Sequence, residues 1–310
     1  MINKILSLTI ILICQAIICR ADKPSPIFDS TKNFLGENGF LYKGQTLYVK
    51  PLNDDLKQFG YSGFILDYKI DKDVPENIYY PDENNHTKYD RLFGKYFQVI
   101  DVLKPMTDSA NYGMGHDFAF KLINLSNNDT LYYIYQGGFE HTFPFIVDGY
   151  FQKQKKLAIG KKFVFRDELI ATAVDLDKGI LLDTKTGEVW TCTDIKMDDA
   201  YSSLSVIFQN TKGKKIALPI EPTLGIQRKY KTYYKWEADK YKLKFGEQMF
   251  NNILKGMFTT GYTIEMCSML GMDIKEVTKK TIGKIVTETW ILKDGKLIFE
   301  NGILKKSIIN

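Results

Sequence analysis

The sequence predicts a mainly β protein with an α+β tail: two small antiparallel β-barrel-like modules followed by an ααβββ unit. Three observations carry this. The chain holds 20 Phe and 19 Tyr against 9 Pro and 3 His, and aromatic side chains favour strands. One skeleton occurs twice in the first two thirds: a strand opened by Gly, a strand closed by Asp, and a hairpin. The last stretch is punctuated by Asp294-Gly295 and Asn301-Gly302, the strongest two-residue hairpin signals. A length of 310 residues suits two or three modules. With 44% apolar and 25% charged residues, the chain is neither disordered, collagenous nor a coiled coil.

Residues 1–21 read as a signal peptide: Lys4 supplies the charge, Ile5 to Ile18 the apolar run, and Cys19-Arg20-Ala21 the exit, with cleavage near Ala21. The run falls short of the roughly 20 residues that span a bilayer, and no later stretch approaches that length. The mature chain is therefore expected to be periplasmic or at the cell surface, with no transmembrane segment. Cys14 and Cys19 follow the bulky Ile13 and Ile18, where a lipid-attachment site would carry a small residue.

The first barrel-like module is assigned to residues 22–144. Its strands start at Gly44-Gln45-Thr46 and at Gly94-Lys95-Tyr96, the latter running to Asp101, and Phe118 to Asn124 leads through Asn127-Asn128-Asp129 into Thr130 to Tyr135. Phe118, Phe120 and Leu122 share one face, with Lys121 on the other. An insertion from Pro51 to Asp90, rich in Asp, Asn, Tyr and Gly, is either a variable surface loop or the place where a ligand is met. The second module, residues 145–220, starts with a short connecting helix from Phe145 to Leu157. Gly160-Lys161-Lys162, then Gly187 to Asp194, then Leu204 to Phe208 follow in the same order, and Thr211 to Lys214 closes a hairpin into Ile216, Leu218 and Ile220.

A connector at 221–244 interleaves Arg228, Lys229, Lys231, Lys235, Lys240 and Lys242 with Tyr230, Tyr233, Tyr234 and Trp236. In the cytosol such a mixture suggests single-stranded nucleic acid. Export removes that partner, so the segment is read as packing between modules, ahead of a surface that touches acidic lipid or glycan. From 245 to 310 the period becomes helical: Phe250, Ile253, Leu254 and Met257 form one stripe. Thr263 caps a second helix that turns Ile264, Cys267 and Leu270 inward and stops at Gly271. Three strands, Lys284 to Leu292, Lys296 to Glu300 and Ile303 to Ile309, complete the unit.

This last unit resembles the BamE/SmpA/OmlA-like family of envelope proteins. The residues carrying the likeness are Gly261-Tyr262-Thr263-Ile264-Glu265-Met266-Cys267, Leu270-Gly271, Glu288-Thr289-Trp290, and Leu297 to Leu304 with its Phe299-Glu300-Asn301-Gly302 turn. Tyr262 stands where the family has Met, and Met272-Asp273 follow Gly271 where it has Pro. The resemblance implies a module that binds other envelope proteins, with peripheral association at the outer membrane and no catalysis. More loosely, the two earlier blocks resemble bacterial Src-homology-three-like small barrels, whose members bind peptides or cell-wall fragments.

Reactive clusters are absent from the sequence. His86, His116 and His141 are isolated, and no HxxxH, HExxH, CxxC, GxSxG or Walker loop occurs. His116 beside Asp117 and His141 beside Glu140 are read as hydrogen-bonded structural residues before general-base dyads. Asp54-Asp55, Asp175/Asp177 and Asp198-Asp199 are read as turn residues, with calcium behind because further ligands are missing. Cys192 and Cys267, left after signal removal, are read as small buried hydrophobes. Removing Lys4 and Arg20 takes the formal charge from +5 to +3, a statement about solubility and not about nucleic acid. The expectation is an exported, non-catalytic binding or scaffold protein of the bacterial envelope, engaging a protein or cell-wall component, with no catalytic residue, cofactor or metal assigned. A carboxylate-dependent cell-wall or glycan hydrolase and a secreted enzyme inhibitor are the alternatives.

Overall fold

The computed structural model describes residues 32–104, 118–137, 140–198, 202–225 and 228–309; the expected signal segment 1–21 and His116 lie outside them. The chain divides into two compact units, 1–49 with 61–149 and 50–60 with 150–310. Three antiparallel sheets and a few helices make up the described residues. Among these residues no helix is long and apolar enough to cross a membrane.

The first unit holds a six-stranded sheet of β1 (Thr46–Val49), β2 (Phe64–Ile65), β3 (Tyr96–Leu103), β4 (Phe118–Asn124), β5 (Thr130–Tyr135) and β6 (Phe145–Val147), in the order β2-β5-β4-β3-β1-β6. The second unit starts with β7 (Lys162–Phe165), β8 (Val189–Asp198), β9 (Ser203–Asn210), β10 (Lys215–Pro219) and β11 (Thr232–Tyr234), in the order β10-β9-β8-β7-β11. Apart from β2, the two orders are the same. The turn glycines repeat as well: Gly44 N–H donates to Val99 O at 2.7 Å and Gly160 N–H to Cys192 O at 2.8 Å. In both sheets the last strand runs directly into an 11-residue helix, α1 (Asp148–Ala158) after β6 and α2 (Lys235–Phe245) after β11.

Neither sheet closes on itself, which corrects the barrel-like expectation. The edge strands β2 and β6 are two and three residues long, too short to supply the continuous staggered pairing that closure requires. The aspartates expected to end their strands sit inside them instead. Register shifts fall between Val99 and Asp101 and between Cys192 and Asp194, and each carboxylate accepts the next backbone N–H, from Val102 at 2.9 Å and Ile195 at 2.8 Å. A bulge leaves an unpaired residue in the ladder, and Asp can satisfy the neighbouring N–H locally. The expected helix from Phe145 to Leu157 likewise starts three residues late. Phe145, Ile146 and Val147 pair with Val49, Tyr48 and Leu47, and a short apolar run buried on both faces has no period that separates strand from helix.

The first unit's core is aromatic. Tyr42 lies 5.1–5.4 Å from the rings of Phe143, Phe120 and Tyr135, and Tyr133 packs edge-on to Phe145 at 5.0 Å. Buried hydroxyls need partners: Tyr42 Oη accepts Leu35 N–H at 2.7 Å, Tyr135 Oη donates to Gly36 O, and Tyr79 Oη donates to Asp129 Oδ2 at 3.1 Å. Burial pushes the Tyr135 and Tyr79 phenols up to about 12 and raises Tyr42 and Tyr133 further. The sign follows by linkage. The unfolded phenols ionise near 10 while the folded ones stay protonated, so this stability is complete below pH ~10 and is lost as pH rises through the folded values. Alkaline unfolding followed by tyrosine absorbance is expected to begin above pH ~10 and to be blunted in Tyr135→Phe. A midpoint that ignores pH in that range contradicts the assignment.

In the second unit, helices α3 (Glu247–Leu254) and α4 (Ile264–Ser268) pack on a four-stranded sheet of β12 (Ile274–Ile282), β13 (Ile285–Leu292), β14 (Gly295–Glu300) and β15 (Ile303–Ile309), in sequence order. The expected meander thus gains a strand. β12 escaped because it is exposed along its whole length and shows no apolar alternation. One core joins Val164 of β7, Tyr233 of β11 and Ala238 of α2 to Phe250, Ile253, Leu254, Tyr262, Cys267, Trp290, Leu297 and Phe299. The 221–244 segment supplies β11 and α2 of the second unit instead of a bare connector: Tyr233 meets Phe250 at 5.4 Å, Arg228 makes a two-toothed pair with Glu237 at 2.6 and 3.2 Å, and Trp236 stays exposed. Thr263 Oγ1 caps α4 by accepting Met266 N–H at 3.2 Å. Met257, however, is 51% exposed. The helix ends at Leu254, and Gly256 at φ +73° turns the chain away before Met257 can join the stripe.

Candidate functional site

The site grows from the 51–90 insertion, which is not one loop. Residues 50–60 group with the second unit and 61–90 with the first. In the first unit, β2 adds to the sheet by pairing Phe64 with Tyr133 and Ile65 with Tyr132, and Gly63 O accepts Ile134 N–H at 2.8 Å. The outer side of β2 is covered in turn, because Tyr79 N–H donates to Phe64 O at 3.0 Å and Leu66 N–H to Asn77 O at 2.7 Å.

Asn77 organises the segment between. It is buried, its Oδ1 accepts Asp67 N–H at 2.8 Å, and its Nδ2 points at the carbonyls of Asp67, Ile70 and Asp71 at 2.9, 3.0 and 3.2 Å. A side-chain amide has both a donor and an acceptor end, so this one residue closes a loop that has no strand of its own. Asp71 Oδ1 accepts Asp73 N–H at 2.9 Å. Downstream, Asp82 Oδ1 accepts the N–H groups of Asn84 and His86, both at 2.8 Å. That turn, with Tyr61 and Thr87 exchanging backbone bonds at 2.8 Å, holds Asn84, Asn85 and His86 against the same side.

Two hollows result, of about 290 and 330 Å³. Ser62, Gly63 and Lys72 line both, so they adjoin. The first continues to Gln136, Gly137 and Thr142, the second to Asn84 and His86. The lining combines hydroxyl, amide and peptide groups with the buried rings of Tyr133, Phe143, Tyr61 and Phe64 and the side chains of Ile65, Ile78 and Ile134. Asp73 is the single carboxylate among the described lining residues, and Lys72 Nζ lies 2.8 Å from it. Such a lining offers neutral hydrogen-bonding groups beside aromatic side chains, which suits a polar chain molecule.

The remaining candidates separate. Asp175 is buried and its Oδ1 accepts Asp177 N–H at 3.0 Å, while Asp177 pairs with Lys215: a turn, as read. Asp54 and Asp55 open a short helix, Asp54 bridging to Lys57 at 2.6 Å. Asp198 ends β8, and Asp199 lies outside the described residues, as does the side chain of His141. Among the described residues no group of three His, Cys, Asp or Glu gathers in metal-binding geometry. Cys192 and Cys267 are buried and unpaired, and burial pushes their thiols up to about 11 and about 12, the opposite of an activated nucleophile. Of the site, the sequence suggested the insertion; Asn77 carried no signal, because its partners are carbonyls and carbonyls leave no trace in composition.

No family model, curated protein or solved structure matches the chain. Its chemistry is therefore read from its own residues.

Proposed function

We propose that the chain is an exported, non-catalytic binding protein of the bacterial cell envelope whose adjoining hollows take a polar chain, a cell-wall glycan or its peptide, as ligand. The observation that carries this reading is the lining around Ser62, Gly63 and Lys72: rich in amide and hydroxyl, with aromatic side chains among its residues, and holding one carboxylate already tied to Lys72. Glycoside hydrolysis calls for two carboxylates about 5–10 Å apart across the scissile bond, and this lining supports holding over cutting. The signal-like segment supports export, and the likeness to the BamE/SmpA/OmlA-like family supports an envelope setting, with the four-stranded sheet as a departure from the family's three strands.

Ser62 is exposed and shared by both hollows, so Ser62→Trp fills them without disturbing the core. The protein is expected to sediment with purified peptidoglycan sacculi, and the Ser62→Trp variant to lose at least about tenfold in affinity, the equivalent of one good polar contact or more, at unchanged melting temperature. Equal retention of both proteins, or of neither, contradicts the proposal.

A further inference from the structure

We infer that the free edge of β12 is a self-recognition surface, through which two copies of this chain join their C-terminal sheets across a two-fold axis at Thr278. β12 is the outermost strand of its sheet, nine residues long and exposed throughout. Edges are commonly blunted by lysines and bulges; β12 carries Lys275, Lys279 and Lys280 and a register shift between Ile274 and Glu276, so a self-pairing has to run from Glu276 onward and find a register that opposes those lysines to an acid.

The backbone fixes which groups look outward. Val286 turns both its polar groups toward the β14 side, donating N–H to Asn301 Oδ1 at 2.9 Å and accepting Asn301 N–H at 2.8 Å. Consecutive residues of an antiparallel ladder alternate sides. Thr287, Thr289 and Ile291 therefore face β12, opposite Lys280, Thr278 and Glu276. The backbone groups of Val277, Lys279 and Thr281 are left pointing to the open edge.

An antiparallel copy bonded through those groups has its two-fold axis on a residue. From Glu276 onward, past the register shift between Ile274 and Glu276, an axis at Thr278 sets Glu276 opposite Lys280 of the second copy twice over, Val277 opposite Lys279, and Thr278 opposite itself. Moving the axis to Glu276, Lys279 or Lys280 sets Glu276 on Glu276, Lys279 on Lys279 or Lys280 on Lys280, and an axis at Val277 sets Glu276 on Thr278 with no Glu–Lys pair. Like charges directly opposite are destabilising, so of these five registers the axis at Thr278 is the one that opposes Glu to Lys without setting like charges together. Glu276 and Lys280 then meet as non-hydrogen-bonded pairs, the closer of the two spacings. The same patch serves both partners, as a two-fold interface requires, and β12 lies outside the cleft, so this inference stands apart from the ligand reading.

Sedimentation equilibrium of the full chain, with cysteine cross-linking under mild oxidation, tests it. Thr278→Cys places its own copy opposite at about 4.5 Å between Cα atoms, within disulfide reach, and is expected to give a covalent dimer, whereas Thr281→Cys, three residues from the axis and so well away from its own copy, is not. Glu276→Lys is expected to weaken the dimer about tenfold by turning two attractions into repulsions, and adding Lys280→Glu to restore it. A monomer at every concentration reached, equal cross-linking at 278 and 281, or a dimer indifferent to Glu276→Lys overturns the proposal. So does a monomeric chain whose β12 takes up an added extended peptide, which assigns the edge to a foreign strand.

Discussion

Replacing Phe250 by alanine is expected to destabilise the second unit by about 3–5 kcal/mol, the range for truncating a fully buried aromatic. Phe250 is 0% exposed. It stands where three segments meet: Tyr233 of β11 at 5.4 Å, Tyr241 of α2 at 5.9 Å, and the helices that cover the last sheet. The matched control is Met257→Ala, two turns further along the same sequence stripe. Because Met257 is half exposed, its loss is expected to stay within about 0.5 kcal/mol. Chemical denaturation of the three proteins decides between a stripe that continues and one broken at Gly256. Equal losses at 250 and 257 place the break wrongly.

Asn77→Ala is expected to cost the first unit about 2–4 kcal/mol, summing the net worth of the three hydrogen bonds its amide can make at once, one accepted and two donated, and to abolish ligand retention. The comparison that isolates the cause is Asn77→Asp. That variant keeps the oxygen that accepts Asp67 N–H but turns a second oxygen toward the carbonyls of Asp67, Ile70 and Asp71. It is expected to be at least as unstable as the alanine variant, since a carboxylate facing three acceptors has no donor to offer. A thermal melt in which Asn77→Asp behaves like the wild type contradicts the converging-carbonyl geometry.

The legible parts of this chain were those whose cause is local. Asn301-Gly302 marks its turn because few residue types fit the left-handed backbone there, and Thr263 caps its helix by a bond spanning three residues; the expected Asp294-Gly295 turn falls one residue earlier, at Lys293-Asp294, with Gly295 of β14 already paired to Leu292. Gly44, Gly160, Asp101 and Asp194 stood out as repeated punctuation, yet the carboxylates proved to serve bulges inside strands, a distinction made by pairing with a distant partner. β12 was silent because one strand exposed along its length carries no buried face to pattern. The open form of the first two sheets was equally silent, since closure depends on whether edge strands find each other and not on the alternation within any one of them. At the candidate site, the insertion announced itself by length and composition, while Asn77, Ser62, Lys72 and Gly137 were brought together by tertiary structure alone.

Backbone-amide NMR during titration with purified, soluble peptidoglycan fragments, with the fragments' masses read afterwards, tests the central claim most directly. The account predicts saturable shifts at Ser62, Gly63, Lys72, His86 and Gly137, absent in Ser62→Trp, and fragments recovered with unchanged mass. Shifts confined to other surfaces, or fragments returned cleaved, contradict it.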